Sequence, residues 1–118
     1  ITVSSLHKAK ELALEMYDSL KSNDLTKFSD IMNKSWEAKR NFTKGVSNKR
    51  IEMVSKKAIE KGAKSLKVTG AGGGGHFFVY ADPSKHSSII KSLKKLGVNS
   101  VDFKYQNQGA KIFEINNL

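Results

Sequence analysis

The chain contains no cysteine, and this absence excludes a disulfide framework and a thiolate metal site. A chain without cysteine suits a reducing compartment, so we expect a cytoplasmic location. Long apolar runs are also missing, because the longest, from Phe77 to Ala81, is far too short to cross a membrane. No signal-peptide pattern occurs. The sequence begins at Ile1 and enters a helical pattern almost at once, so we expect a piece of a longer protein.

Arginine is scarce as well. Only Arg40 and Arg50 occur among the 21 basic residues, and the others are lysine. The net charge of +10 favours anionic partners. Without an arginine cluster, however, a lysine-rich solvated surface is favoured over a nucleic-acid site. A length of 118 residues is sufficient for one domain, covering residues 1–118, with a core of its own.

The first half of the sequence has the period of amphipathic helices. Three stretches carry apolar residues at steps of three and four, which places them on one face of each helix. Asp24 is positioned to cap the second helix, and Asn48 or Ser47 to cap the third. The predicted buried faces consist of Leu6, Ala9, Ala13, Met16 and Leu20 in the first helix, Leu25, Phe28, Met32, Ser35, Trp36 and Lys39 in the second, and Ile51, Val54, Ala58 and Ile59 in the third.

The second half changes to the period of β-strands. Residues 66–69 alternate between apolar and polar, and a β-prone apolar run follows at 76–81. A fourth helix is predicted to begin at Pro83, followed by a third strand at 101–105 and a fourth at 110–115. The order α-α-α-β-β-α-β-β, with short turns, predicts an α+β fold in which the helices pack on one face of a four-stranded antiparallel sheet.

Between the first two predicted strands, five glycines occupy the six positions from Gly70 to Gly75. Glycine lets backbone turn tightly and approach a ligand closely, and successive N–H groups can converge on an anion. The run leads into a strand and lacks a following Gly-Lys-Ser/Thr, which excludes a dinucleotide-binding loop and a P-loop. No protein-kinase signature follows. We therefore expect backbone that lines a phosphate-bearing site; the alternative is a flexible hairpin whose glycines only avoid clashes.

The residues from Lys67 to Gly75, followed by an apolar strand, resemble the third signature motif of the GHMP kinases, which include galactokinase, homoserine kinase and mevalonate kinase. The helix with Trp36 and Lys39 and the stretch from Gly45 to Ile51 are similar to one branch, the D-glycero-D-manno-heptose 7-phosphate kinases. The resemblance covers nearly the whole chain and implies the ferredoxin-like C-terminal domain of that family. It also implies a kinase that uses ATP and Mg²⁺ to phosphorylate a hydroxyl of a sugar phosphate.

The resemblance gives the glycine run a role. In such kinases this loop faces the cleft between two domains, where its amides meet the charge that develops in phosphoryl transfer. Residues at the predicted start of the third helix are expected to add anion-binding amides. The implied substrate- and phosphate-binding residues are Gly70, Ala71, Gly72, Gly73, Gly74, Gly75, Ser47 and Asn48.

The same resemblance implies that the nucleotide-binding and catalytic residues of the family lie outside this chain. The family's nucleotide-binding glycine-serine loop and its catalytic acid belong to an N-terminal domain, and nothing in this sequence corresponds to either. The expected partners are therefore that N-terminal kinase domain and the sugar-phosphate substrate, with ATP and Mg²⁺ bound mainly outside this chain. We assign no catalytic residue and no metal ligand here, and we expect the isolated chain to be inactive.

Four single residues have two interpretations each. His76 stands where the family usually has an apolar aromatic residue; it could meet a phosphate, but a strand position is favoured. Trp36 could stack on a sugar, although its helical spacing favours the core. Lys39 could contact a substrate phosphate or remain solvated. A Gly73→Val substitution is expected to fill the ligand-facing side of the loop and leave the fold largely intact.

A second hypothesis belongs to a different class of function. It is a small non-catalytic α/β module that binds anionic partners such as RNA through its lysines and its glycine hairpin. Strand aromatics such as Phe77, Phe78 and Phe103 can stack on unpaired bases. Their apolar neighbours Val79 and Val101 favour a core position for many of these rings.

Overall fold

The structure of the protein is a computed structural model that describes residues 3–115. Within this range the chain forms four helices and two strands. In chain order they are α1 (Val3–Lys21), α2 (Leu25–Arg40), α3 (Lys49–Glu60), β1 (Ala63–Val68), β2 (Phe77–Ala81) and α4 (Pro83–Lys94). These six elements follow the predicted order. None of the helices in the described range combines the length and apolar character needed to cross a membrane.

Capping side chains determine where two of the helices begin. The Asp24 carboxylate accepts a hydrogen bond from an amide in the first turn of α2 at 2.9 Å. At α3, the Asn48 side-chain oxygen accepts from the Ile51 amide at 3.0 Å, so Asn48 is the cap and Ser47 is not. Such bonds satisfy amides that have no partner within the helix. Both caps agree with the sequence prediction.

The sheet is an antiparallel hairpin, and α2 lies along its outer edge. Val68 of β1 stands opposite Phe77 of β2. On the other side of β1, the Asn33 side chain donates to the Lys64 carbonyl at 3.1 Å, and the Lys39 ammonium donates to the Val68 carbonyl at 3.0 Å. These carbonyls point away from β2 because alternate residues of an antiparallel strand form the ladder. Side chains of α2 therefore satisfy the free edge of the sheet.

The core lies between the hairpin and two of the helices. Residues of α3 and α4 pack against one face of the hairpin, which agrees with the prediction for those two helices. A second cluster joins α2 to β1 and α3, while α1 packs on α2. The first cluster contains Val54, Ala58, Ala63, Leu66, Ala81, Ile89 and Leu93, and the second contains Trp36, Val46, Ile51 and Val68.

The buried face of α1 differs from the prediction. Leu12 and Ser19 are its buried residues, whereas Leu6 and Leu20, which were expected to be buried, are exposed at 45% and 54%. Because α1 packs mainly against α2, it needs only a narrow apolar stripe. Its remaining apolar residues therefore lie outside the contact, although their spacing is helical.

The third and fourth strands of the prediction do not form in the described residues. From 98 to 115 the chain contains no helix or strand, and the sheet has two strands where four were expected. Alternating apolar residues are not sufficient for a strand, which also needs a hydrogen-bonded neighbour and a buried face. The large apolar side chains of this segment are instead exposed to solvent, each with a relative accessible area of at least 61%. They are Val101, Phe103, Tyr105, Ile112, Phe113 and Ile115.

Candidate functional site

The glycine run forms the connection between β1 and β2. At its base, the Thr69 amide donates to the His76 carbonyl at 2.9 Å. The backbone then turns repeatedly through the left-handed region, which residues with a Cβ rarely adopt. Its positive φ angles are +72° at Gly70, +98° at Gly72, +77° at Gly73 and +91° at Gly75. At these four positions, the backbone conformation alone explains why the residue is glycine.

Gly74 is different from the other four glycines. Its φ lies outside the left-handed region, and a Cβ built on it would have no neighbouring atom within 4 Å. Neither backbone strain nor packing within the described residues therefore requires glycine at this position. Close approach by something other than these residues would require it.

Hydrogen bonds hold the loop at its start and in its middle. The Lys39 ammonium donates to the Gly70 carbonyl as well as to the end of β1. In the middle, the Gly73 amide donates to the Val46 carbonyl at 2.8 Å, and the Asn48 amide group donates to the Gly73 carbonyl at 3.0 Å. The loop is thus tied to α2 on one side and to the beginning of α3 on the other.

Close packing reinforces these bonds on the α3 side. A Cβ at Gly72 would stand 2.9 Å from a Val46 methyl carbon and 3.0 Å from its backbone. A Cβ at Gly73 would stand 3.0 Å from the Gly45 carbonyl oxygen. Because Gly73 also has a φ of +77°, the expectation that Gly73→Val leaves the fold largely intact is wrong.

The loop keeps unused donors after these contacts are made. Among residues 3–115, the amides of Gly70, Ala71, Gly72, Gly74 and Gly75 donate to no protein acceptor. By contrast, the carbonyls of Gly70 and Gly73 are both occupied by side-chain donors. Exposed backbone amides of this kind are available to bind an anion.

A cavity of about 300 Å³ lies beside this loop. Gly73, Gly74 and Gly75 form part of its wall, together with His76. Residues of α3, the first residue of β2 and the chain after α4 form the rest, and none of the described residues in the wall is acidic. Its permanent charge comes from Arg50, whose guanidinium also donates to the Leu96 carbonyl at 2.6 Å. The cavity is therefore suited to an anionic ligand.

Positive charge also accumulates on the other side of the loop. Lys67 of β1 donates to the Ser35 hydroxyl of α2 at 2.9 Å. Burial lowers the pKa of Lys67 below its ordinary value, and the nearby charge of Lys39 lowers it further. Neither lysine forms an ion pair with a carboxylate of the described residues. The base of the loop is thus an electropositive region.

A family model described as GHMP kinases C terminal matches residues 16–99. The chain belongs to the GHMP kinases. This GHMP kinase domain is 35% identical over 114 residues to a D-glycero-alpha-D-manno-heptose 7-phosphate kinase from Campylobacter jejuni, covering 97% of this chain and 34% of that protein. It is 32% identical over 111 residues to a mevalonate kinase from Thermococcus sibiricus, covering 93% and 32%. The chain thus spans about a third of each relative.

A solved structure agrees with these sequence relationships. A crystal structure of a Campylobacter jejuni protein described as a sugar kinase matches with a TM-score of 0.58 and 37% identity, covering 80% of this chain and 29% of that one. The resemblance to the GHMP kinases that the glycine motif indicated is confirmed. It favours the kinase hypothesis over the RNA-binding module.

The residues that the motif implicated occupy different places in the GHMP kinase domain. Asn48 reaches the cavity wall together with the second half of the glycine run. Gly70 lies beside Lys39, and Gly72 packs against Val46. Ser47 is outside the cavity wall, because its hydroxyl donates to the Glu52 carboxylate at the surface.

The positions and contacts of two residues of this site were not predicted from the sequence. Arg50 was noted as one of two arginines and as part of the stretch from Gly45 to Ile51 but was given no role, although its position two residues after the Asn48 cap places it in the first turn of α3. Lys39 was expected to be solvated or to touch substrate, and the structure places its ammonium on loop carbonyls. Nothing in its own sequence context distinguishes this lysine from its neighbours, since the contact spans 31 positions.

The GHMP kinase domain offers no metal centre in the part that the structure describes. No three His, Cys, Asp or Glu side chains of residues 3–115 come together in a way that could hold a metal ion. Since Mg²⁺ prefers several oxygen ligands, including carboxylates, the described residues do not fit it. No step of the chemistry is therefore assigned to a metal bound by this chain.

Proposed function

We propose that this domain is the C-terminal part of an ATP-dependent sugar-phosphate kinase, and that its acceptor is a heptose 7-phosphate. The family membership and the 35% identity to the heptose 7-phosphate kinase over 97% of the chain support this proposal. We further propose that residues 1–118 form a single domain that works beside an N-terminal kinase domain of the same protein, in the cytoplasm.

The observation that carries the site assignment is the glycine at position 74. It lies in the cavity wall, with ordinary φ and open space where a Cβ would be. A phosphate-bearing ligand drawn close to the main chain at this point accounts for it. We therefore place the substrate and phosphate groups against Gly73, Gly74 and Gly75, with Asn48 at the margin.

The chemistry that this surface can perform is binding and electrostatic stabilisation. Phosphoryl transfer spreads negative charge over the oxygens of the transferred group, and catalysis consists mainly of positioning it and stabilising that charge. The free loop amides, the guanidinium of Arg50 and the positive end of α3 can all face such oxygens. They exist before any ligand binds, so little reorganisation is needed.

The phosphoryl group itself comes from ATP. In this proposal ATP and Mg²⁺ are held mainly by the N-terminal domain. The described residues of the cavity wall include no carboxylate to take a proton from the sugar hydroxyl. This chain therefore binds and orients, and we assign the proton acceptor to the rest of the enzyme.

The test uses the full-length protein. It is incubated with ATP and Mg²⁺ and, separately, with D-glycero-alpha-D-manno-heptose 7-phosphate, galactose or mevalonate, and the products are identified by mass spectrometry. We expect one phosphoryl group to be added to the heptose 7-phosphate, and no product from the isolated 118-residue chain. Preference for galactose or mevalonate would refute the acceptor. Absence of transfer to all three, with binding of single-stranded RNA, would favour the non-catalytic module.

A further inference from the structure

We propose that Lys39 is a positioning residue that holds the glycine loop in the conformation that binds phosphate. The inference rests on the proposed function of the loop, because it assigns to Lys39 the task of keeping that site assembled. Lys39 lies outside the cavity wall. We therefore propose that its effect on phosphoryl transfer passes through the loop.

The contacts of Lys39 join the end of β1 to the first residue of the loop. Its ammonium donates to the Val68 carbonyl at 3.0 Å and to the Gly70 carbonyl. Bonds to charged donors are stronger than those between neutral groups. Because one ammonium holds both carbonyls, the chain leaves the strand in a fixed direction. The positive φ at Gly70 is the backbone turn that this arrangement requires.

The position of Lys39 is set by the buried residue one turn earlier in α2. Trp36 is 6% exposed and packs with Val68 in the cluster that joins α2 to the hairpin. The side chain three positions later therefore reaches the same end of β1. No carboxylate of the described residues pairs with its ammonium, so the hydrogen bonds of the ammonium go to the Val68 and Gly70 carbonyls.

The distribution of hydrogen bonds explains how this contact serves binding. Lys39 donates a hydrogen bond to the Gly70 carbonyl on the α2 side, and Asn48 donates one to the Gly73 carbonyl on the α3 side. Two carbonyl oxygens that would repel an anion are thus hydrogen-bonded to side chains, while the neighbouring N–H groups donate to no acceptor in the described residues. Release of the Gly70 carbonyl would free the first turn of the loop, and the amides of Gly74 and Gly75 in the cavity wall would then lose their fixed positions.

A direct contact between Lys39 and substrate is the rival interpretation, and the two make different kinetic predictions. A residue that binds the substrate phosphate chiefly raises KM when it is removed. A residue that only orients the loop chiefly lowers kcat, because the ligand binds but is misplaced. Two of the three ammonium donors are already used on carbonyls, which favours the second.

The experiment compares full-length enzymes that carry Lys39→Met, Lys39→Arg and Lys34→Met. Lys34 is an exposed lysine of the same helix, so Lys34→Met controls for loss of a surface charge. For Lys39→Met we expect kcat to fall about 100-fold, the effect of a misplacement of about 1 Å, with a much smaller change in KM. Lys39→Arg, which keeps the positive donors, is expected to recover most of the rate.

A second measurement does not depend on kinase activity. Hydrogen–deuterium exchange of the same full-length proteins measures the exchange rates of the Thr69 and Gly73 amides. The Thr69 amide is hydrogen-bonded at the base of the loop, and the Gly73 amide is hydrogen-bonded in its middle. We expect faster exchange of both in Lys39→Met and no change in Lys34→Met. If Lys39→Met lowers the melting temperature strongly, Lys39→Gln, which keeps an uncharged NH2 donor group, replaces it in both measurements.

The outcomes separate this inference from the proposed function. Equal kcat and equal exchange for Lys39→Met and Lys34→Met would overturn the role of Lys39, and so would a rise in KM at unchanged kcat. If the wild-type enzyme transferred no phosphate to any acceptor, the proposed function would fail. The exchange comparison would still decide whether Lys39 holds the loop.

Discussion

At the scale of single residues, the five glycines of the loop are not equivalent. Gly72 combines a φ of +98° with close contact to Val46, so both conformation and space require it. Gly74 has neither constraint. Folding therefore requires glycine at the first of these positions, whereas at the second only the ligand that we propose accounts for it. Sequence alone cannot separate them, because φ and neighbours are properties of the folded loop.

This difference predicts that alanine destabilises the protein at one position and has little effect on stability at the other. Gly72→Ala must place a Cβ in the left-handed region, which costs about 1–2 kcal/mol, and must also displace Val46. Gly74→Ala is expected to change the free energy of unfolding by less than about 0.5 kcal/mol. Urea unfolding of the two variants measures this directly. Equal destabilisation would contradict the loop conformation described above.

At the scale of elements, the start of α3 is joined to the loop through one side chain. The Asn48 oxygen caps the helix at 3.0 Å, and its nitrogen donates to Gly73 at 3.0 Å. The cap could be predicted, because Asn, Ser and Asp at this position accept from first-turn amides. The second bond could not, since it spans 25 positions and depends on how the hairpin packs beside α3.

Two substitutions separate these functions of Asn48. Asn48→Asp keeps a capping oxygen but places a carboxylate where the Gly73 carbonyl needs a donor. It should therefore unfold near the wild-type temperature while the Gly73 amide exchanges faster. Asn48→Ala loses the cap as well, at a cost of about 1 kcal/mol. Thermal unfolding and amide exchange test both variants, and wild-type protection of Gly73 in Asn48→Asp would count against this link.

The elements also show where sequence patterns reach their limit. The helices α2 and α3 bury most of the residues that their periodicity indicated, such as Trp36 and Val54, but Leu25 and Ile59 are 45% and 49% exposed. In α1 the stripe is displaced, because α1 packs mainly against α2. At 101–105 the alternation is present, yet Phe103 is 64% exposed. Local pattern identifies an element that can form, whereas the partner that it packs against decides whether it forms.

At the scale of the whole molecule, the loop is held between two groups of helices. The α2 side supplies Lys39 and the α3 side supplies Asn48, while the hairpin brings both ends of the run together. The net charge of +10 gives this assembly a general attraction for anions. The position of the loop followed from its flanking strands. The cavity and the position of Arg50 in its wall could not be predicted in this way, because the cavity forms between elements that are distant in sequence.

The most direct test of the account is the turnover of full-length enzymes carrying Gly74→Val or Gly109→Val. Both positions have open space for a side chain and no left-handed φ, but only Gly74 lies in the cavity wall. We expect Gly74→Val to fold normally and to lose about 100-fold or more in kcat/KM for the sugar phosphate. Gly109→Val should retain wild-type turnover. Wild-type turnover in a folded Gly74→Val enzyme would contradict the claim that bare main chain at this loop meets the ligand.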